Sequence, residues 1–254
     1  MAGISAIGSE RDLYGQIASG NRINSAADDA AGLSISEQLK KQTTGLDVGA
    51  QNAQDGVSLL KISDGALGQI GDSLGRIHEL SLKAMNGLST ADEKNAIQQE
   101  ISGLMDEISS VAKGTEFNTL KVLDGTFADI DMATNPKGDG PTIKMANATL
   151  EALGIDGYDV TGKFDLSRIT DAIDKVSAAR SNLGASQNAL ESAYRSNSNT
   201  SLNTTAAQSS LADLDIAKAI SEQKKSETLN NYQLMMQRKQ QEDEEKKKLG
   251  ILQF

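Results

Sequence analysis

The chain has 254 residues, a formal net charge of -10, aromatic side chains at only 3% of positions, no Trp and no Cys. The acidic balance argues against a general binder of nucleic acid or anionic membrane, since both surfaces are negative. Without cysteine there is no disulfide and no thiolate metal site. So little aromatic mass suits long, thin helical packing better than the compact core of an enzyme.

The opening "MAGISAIGSERDLYG" has no basic region followed by an apolar run, so an ordinary secretory signal is not expected. No window approaches the roughly eighteen uninterrupted apolar residues that a membrane span needs. The expectation is a soluble protein that, if it leaves the cell, does so by another route.

From about Ser5 to Gly114 the pattern is helical. Its first part, "SGNRINSAADDAAGLSISEQLKKQ", holds Ala26, Ala27, Ala30 and Ala31 where a core helix would carry Leu or Ile. Asp28 and Asp29 stand among them. Neighbours on a helix point roughly 100° apart, so two such carboxylates cannot share a proton as a catalytic dyad. Each is expected to meet a different neighbour, such as a basic side chain or another chain. Farther on, Leu67, Ile70, Leu74 and Ile77 form a stripe at three- and four-residue steps, and Ile97, Ile101, Leu104, Ile108 and Val111 form another. Asn86-Gly87 breaks the pattern between them, and Thr90 with Glu93 makes a capping-box signature. Two long helices joined by so short a turn are expected to lie antiparallel.

From Thr115 to Leu166 the composition changes. Both prolines, Pro136 and Pro141, fall here with Phe117, Phe127, Tyr158 and Phe164. Leu120 and Val122 alternate up to Asp124-Gly125, a hairpin-turn dipeptide, and Ile143 and Met145 alternate after Pro141. This predicts a small β-rich head. The helical period returns from Ser167, with Ile169, Ile173, Val176, Leu183 and Leu190. It weakens through "SNSNTSLNTT" and resumes at Leu211, Leu214 and Ala217. Neither helical arm can bury its stripe alone. The predicted fold is therefore mainly α: a long antiparallel, coiled-coil-like rod, N- and C-terminal arms packed together, bearing the small β-rich head.

Chemistry-bearing motifs fall short of their requirements. "GYDVTGKF" puts Phe164 where a phosphate-binding loop needs Ser or Thr, and reads as a turn. "DIDMATNPKGDG" puts Ala133 where a calcium loop needs a ligand. His78 is the only histidine and has no cysteine to join it at a transition metal. No catalytic residue, metal or cofactor is expected.

The segment "SGNRINSAADDAAGLSISEQLKKQTTGLDVGAQNAQDGVSLLKISDGAL" closely resembles the N-terminal core of bacterial flagellins. So do "LGRIHELSLKAMNG", "IQQEI" and "GTEFNTLKVLDG" after it. "LSRITDAIDKVSAARSNLGASQNALES" and "LADLDIAKAIS" resemble the C-terminal core, and the likeness covers most of Gly15 to Glu222. The resemblance implies a secreted, extracellular protein of the bacterial flagellum, exported through the flagellum's own channel. Its subunits would stack into a helical filament for motility. The implied regions are an N-terminal inner-core helix and spoke over 1–45, outer-core rod helices over 46–114 and the head over 115–166. A C-terminal rod helix over 167–200 and an inner-core helix over 201–254 complete them. The large outer domains of many flagellins are missing, which implies a thin, smooth filament.

The resemblance also suggests why the first helix is alanine-rich: neighbouring backbones approach closely there, while Asn21, Arg22, Asn24, Asp28 and Asp29 make polar contacts between chains in self-assembly. A face packed only within its own chain would select small residues too. Export chaperone, cap and junction proteins are the implied partners, along with the host Toll-like flagellin receptor; nucleic acid and membrane are not. The receptor-binding motif maps to Arg76, Leu80 and Glu100. Arg76 and Leu80 lie roughly 100–140° from the centre of the stripe Leu67, Ile70, Leu74 and Ile77, so Leu80 is expected off the core face. Gly75 stands where many stimulatory flagellins have glutamine.

Two departures fall at the ends. The chain begins later than usual before "SGNRIN", and "QRKQQEDEEKKK", Gln237 to Lys248, has no apolar residue. Glu242, Asp243 and Glu244 each precede a lysine by four residues, an order that supports a helix by about 0.2–0.5 kcal/mol per pair. Such a helix is either solvated or lines a filament lumen. The alternatives to a filament subunit are a hook-filament junction protein and a secreted, non-polymerising signalling or decoy protein.

Overall fold

The structure is a computed structural model that describes residues 13–251, with side chains through 246. The opening read for a signal sequence, up to residue 12, lies outside the described residues, as does the end of "LGILQF". In chain order the elements are α1 (Ala26–Met85), α2 (Ala91–Gly114), β1 (Glu116–Phe117), β2 (Leu120–Lys121), β3 (Asp129–Asp131), β4 (Thr142–Lys144), α3 (Leu150–Leu153), α4 (Ser167–Ala212) and α5 (Ile216–Ile251). The chain divides into two compact units, Gln42–Leu202 and Met1–Lys41 with Asn203–Phe254.

In the unit Gln42–Leu202, α1 buries its residues in strict sevens. Leu46, Ala53, Leu60, Leu67, Leu74 and Ser81 form one buried row, and Gly49, Gly56, Ser63, Ile70, Ile77 and Ala84 form a second. An exact seven-residue repeat is the pattern of helices wound about each other. A third row, Leu59, Ala66, Ser73 and Leu80, is also buried. It exists because α2 packs on that side. The turn after Met85 is closed as expected: Thr90 Oγ1 accepts from Glu93 N at 3.3 Å, and Glu93 Oε2 accepts from Thr90 N at 2.9 Å. Arg76 on α1 then meets Glu100 on α2. Counting antiparallel from that pair, Ala91 and Gly114 fall level with Met85 and Ile62, a stretch that takes in Ala66, Ser73 and Leu80 of the third row.

Helix α4 keeps a row of sevens through its polar part. Ile169, Val176, Leu183, Leu190, Asn197 and Thr204 are all buried. The polar stretch thus changes the chemistry of the row and not its register. Asn197 Nδ2 donates to the Thr134 carbonyl at 2.6 Å, and Ser201 Oγ donates to Asp47 Oδ1 at 2.5 Å. The pattern then does not resume on one helix: α4 stops at Ala212, and α5 starts behind Asp215, whose Oδ1 accepts from Lys218 N at 3.0 Å. That break leaves Ala217 exposed and buries Ala219.

The head holds two separate two-stranded antiparallel ladders, β1 with β2 and β3 with β4. The tight hairpin turn lies at Asn118-Thr119, both at positive φ (48° and 69°), and not at Asp124-Gly125. Asp124 instead folds a local turn, accepting from Thr126 N at 2.9 Å. The same Asp or Asn, one residue, then Ser or Thr arrangement recurs at Asn147-Thr149, Asp159-Thr161 and Asp165-Ser167. Ile143 and Met145 are buried, as their alternation predicts.

The loop between β3 and β4 lies on glycines of α1. A methyl at Gly45 would come within 2.7 Å of Pro136 Cβ, and one at Gly49 would overlap the Thr134 carbonyl oxygen. At Gly56 it would meet Leu190 at 2.7 Å and Met132 at 2.9 Å. Asn52 Nδ2 adds a hydrogen bond to the Ala133 carbonyl at 2.8 Å. Small residues on this face admit the loop backbone closely and, at Gly56, Leu190 of α4.

Candidate functional site

Two of the three residues expected to form a receptor-binding motif meet directly. Glu100 Oε1 accepts from Arg76 Nη2 at 2.7 Å and from Arg76 Nε at 2.9 Å, while Arg76 Nη1 reaches Glu79 Oε2 at 3.2 Å. These hydrogen bonds, chiefly those to Glu100, hold the guanidinium more firmly protonated than usual. The pair spans the α1–α2 hairpin at the edge of a groove that continues past Lys83 and Asn86 to Leu88 and Glu93.

Leu80 is not off the core face. It is only 4% exposed, on the third buried row, and forms part of the groove beneath Arg76. The expectation took α1 to have one buried stripe, whereas packing by α2 extends the buried arc to include position 80. The apolar side chain that does stand out here is Leu88, 87% exposed in the turn between the helices. Periodicity gave no signal for it, because it lies where the period is broken.

The residues expected at self-assembly contacts lie in the other unit, around the start of α1. The helix is interrupted at Asp29, whose backbone is extended (φ -163°, ψ 98°). Asp29 therefore caps the long helix: its Oδ1 accepts from Gly32 N at 2.9 Å. Asp28 closes the turn before it, with Oδ2 accepting from Asn24 N at 3.0 Å and from Ser25 N at 2.9 Å. Those two backbone donors, Asn24 first, hold the Asp28 carboxyl below the usual range. The two acids do meet different neighbours, but these are local amides rather than basic side chains, and the premise that both sit within one regular helix is corrected. The reason is that a short Asp side chain competes well for backbone N–H groups at a helix start.

The other three residues are also tied within the chain. Asn21 pairs with Asp213 in an isolated antiparallel bridge, and Arg22 N donates to the Ala212 carbonyl at 2.7 Å. Arg22 Nη2 donates to the Leu211 carbonyl at 2.6 Å, and Asn24 Oδ1 accepts from Ser19 Oγ at 2.8 Å. Arg22 thereby serves a carbonyl at the end of α4 that has no partner within its helix. Ala26, Ala27, Ala30 and Ala31 are exposed, so the alanine face is not packed within this chain.

Comparison with known proteins fits this arrangement. Residues 10–128 match the family described as bacterial flagellin N-terminal helical region, and residues 166–244 match the bacterial flagellin C-terminal helical region. A flagellin of Halalkalibacterium halodurans is 36% identical over 222 residues, covering 85% of this chain and 82% of its own. The chain belongs to the bacterial flagellin family. A flagellin of Bacillus subtilis is 37% identical over 255 residues, covering 85% of this chain and 84% of its own. The crystal structure of Bacillus cereus flagellin superposes with a TM-score of 0.52 at 28% identity, over 58% of this chain and 88% of that one. All eight candidate site residues of this flagellin lie within the N-terminal match. Between the two matches, residues 129–165 hold only the β3–β4 hairpin and α3.

Proposed function

We infer that this flagellin is a structural subunit that self-assembles into the bacterial flagellar filament, outside the cell. The observation that carries the reading is α5. It runs for 36 residues, yet among its described side chains only Ala219 is buried. Leu229, Tyr232, Met235 and Met236 face solvent. A helix gains most of its stability in water from packing an apolar face, so α5 calls for a neighbour, and neighbouring copies supply it. The exposed alanines of α1 admit close backbone approach in the same way. Export chaperone, cap and junction proteins are the further partners proposed. Asn21, Arg22, Asn24, Asp28 and Asp29 are proposed to hold the shape of the surface that assembles; their intrachain bonds support that role.

The test is seeded polymerisation of the full chain followed by negative-stain microscopy. Long, thin tubes are expected. Short caps or rings of a few copies would favour a hook-filament junction protein. A permanent monomer that still binds the host receptor would favour a signalling or decoy protein.

A second reading, recognition by the host Toll-like flagellin receptor, is favoured by the Arg76–Glu100 pair at the groove. The fixed guanidinium and the exposed Leu88, which line the same groove, offer a polar and an apolar contact.

A further inference from the structure

We propose that Met235 and Met236 are an oxidation site through which peroxides control assembly; the inference rests on the filament reading. The chain has no cysteine, so methionine carries all of its sulfur. The described methionines divide sharply. Met145 is buried, and Met105 and Met132 are partly buried against the core of the unit Gln42–Leu202. Met235 and Met236 are 71% and 44% exposed on α5. Met85 is also exposed, but it belongs to the unit Gln42–Leu202.

The position of the pair gives oxidation its consequence. At about 100° per residue, Leu229, Tyr232, Met235 and Met236 share an arc of about 120° on α5. Tyr232 lies three residues before Met235 and four before Met236, so both thioethers belong to the apolar patch around its ring. The free subunit presents that patch to solvent, and assembly would cover it. Oxidants therefore reach the sulfurs before assembly and not after it.

The chemistry needs only a hydroperoxide. A thioether lone pair attacks one peroxide oxygen, the O–O bond breaks and an S–O bond forms. Sulfur loses two electrons, the peroxide gains them, and with hydrogen peroxide the proton passes to the departing hydroxide to give water. The product sulfoxide is polar, and covering it without a hydrogen-bond partner opposes burial. Each sulfoxide should raise the critical concentration for polymerisation by about tenfold.

The experiment treats full-length monomer with hydrogen peroxide and locates sulfoxides by mass spectrometry. The critical concentration is then measured by seeded sedimentation for the wild type and the M235L/M236L variant. The wild type is expected to lose assembly on treatment and the double variant to keep it. Normal polymerisation of wild type carrying both sulfoxides would overturn the proposal, and so would equal losses in the double variant. A second variant, M235Q/M236Q, places polar side chains there without oxidant and is expected to raise the critical concentration; no change would count against the proposal. Untreated wild type that never polymerises would overturn the filament reading and this inference with it.

Discussion

Arg76 on α1 and Glu100 on α2 are joined by two hydrogen bonds to one carboxylate oxygen, at 2.7 and 2.9 Å, with both side chains about half exposed. Directly beneath them Leu80 is buried. A charged ridge over an apolar floor separates the residues of the proposed receptor motif: Arg76 and Glu100 are exposed, whereas Leu80 is nearly covered. Arg76→Ala is therefore expected to weaken receptor binding by more than about tenfold. Its melting temperature should hardly move, since exposed ion pairs contribute little to stability. Leu80→Ala should instead cost about 2–5 kcal/mol by opening a cavity. Calorimetry and a receptor-binding assay on both variants check this, and full affinity of Arg76→Ala would remove the assignment.

The glycines of the long helices should respond in opposite directions. Gly49→Ala drives a methyl into the Thr134 carbonyl and should destabilise the unit Gln42–Leu202 by about 1–3 kcal/mol. Gly103 on α2 has open space around it, so Gly103→Ala should stabilise by about 0.5–1 kcal/mol through helix propensity alone. Urea denaturation of the two variants beside the wild type measures both.

Acid should weaken the head through its Asp turns. Asp124, Asp159 and Asp165 each accept from the backbone N–H two residues on, at Thr126, Thr161 and Ser167, and each is held below the usual carboxylate range chiefly by that bond. A carboxyl with a lowered folded pKa contributes fully above its unfolded value of about 3.9, and the contribution is lost as pH falls through the folded value. The triple variant D124N/D159N/D165N keeps an acceptor at each turn but cannot titrate. Its melting temperature should fall less steeply than that of the wild type below about pH 4. Parallel slopes in thermal melts would refute the role given to these turns.

The charged end of α5 gives a salt prediction. Residues 237–246 are helical and exposed in the single subunit. If they contact neighbours in the filament, the contacts are charge pairs, which salt screens over about 10 Å at 0.1 M and about 3 Å at 1 M. Filaments should then weaken as sodium chloride rises. Reversing Glu242, Asp243 and Glu244 to lysine should weaken them further by setting like charges four residues apart. Equal sedimentation of both at every salt concentration would show that this segment takes no part in assembly.

What could be read from the chain itself was local. The Thr90–Glu93 capping box closes within four residues, so its two hydrogen bonds depend on nothing distant. The apolar stripes of α1 and α2 follow from the helical period and came through directly. The continuation of the α4 row was equally present: counting sevens from Ile169 reaches Asn197 and Thr204, but their polarity hid them. The family likeness in the ordered blocks of both arms pointed to a filament protein on sequence alone.

Other features depended on pairings that periodicity does not show, and two of them on partners far along the chain. Leu80 is buried because α2 returns beside it, and Gly49 is needed because Thr134, 85 residues later, rests its carbonyl there. The position of the hairpin turn, at Asn118-Thr119 rather than Asp124-Gly125, was decided by pairing of Glu116 with Lys121. Capping of α1 by Asp29 required a break in a run of good helix formers. In each case periodicity specifies which side chains can share a face, while burial depends on what arrives at that face. Only the three-dimensional path of the chain determines that, because the free energy of burial belongs to the contact and not to the residue.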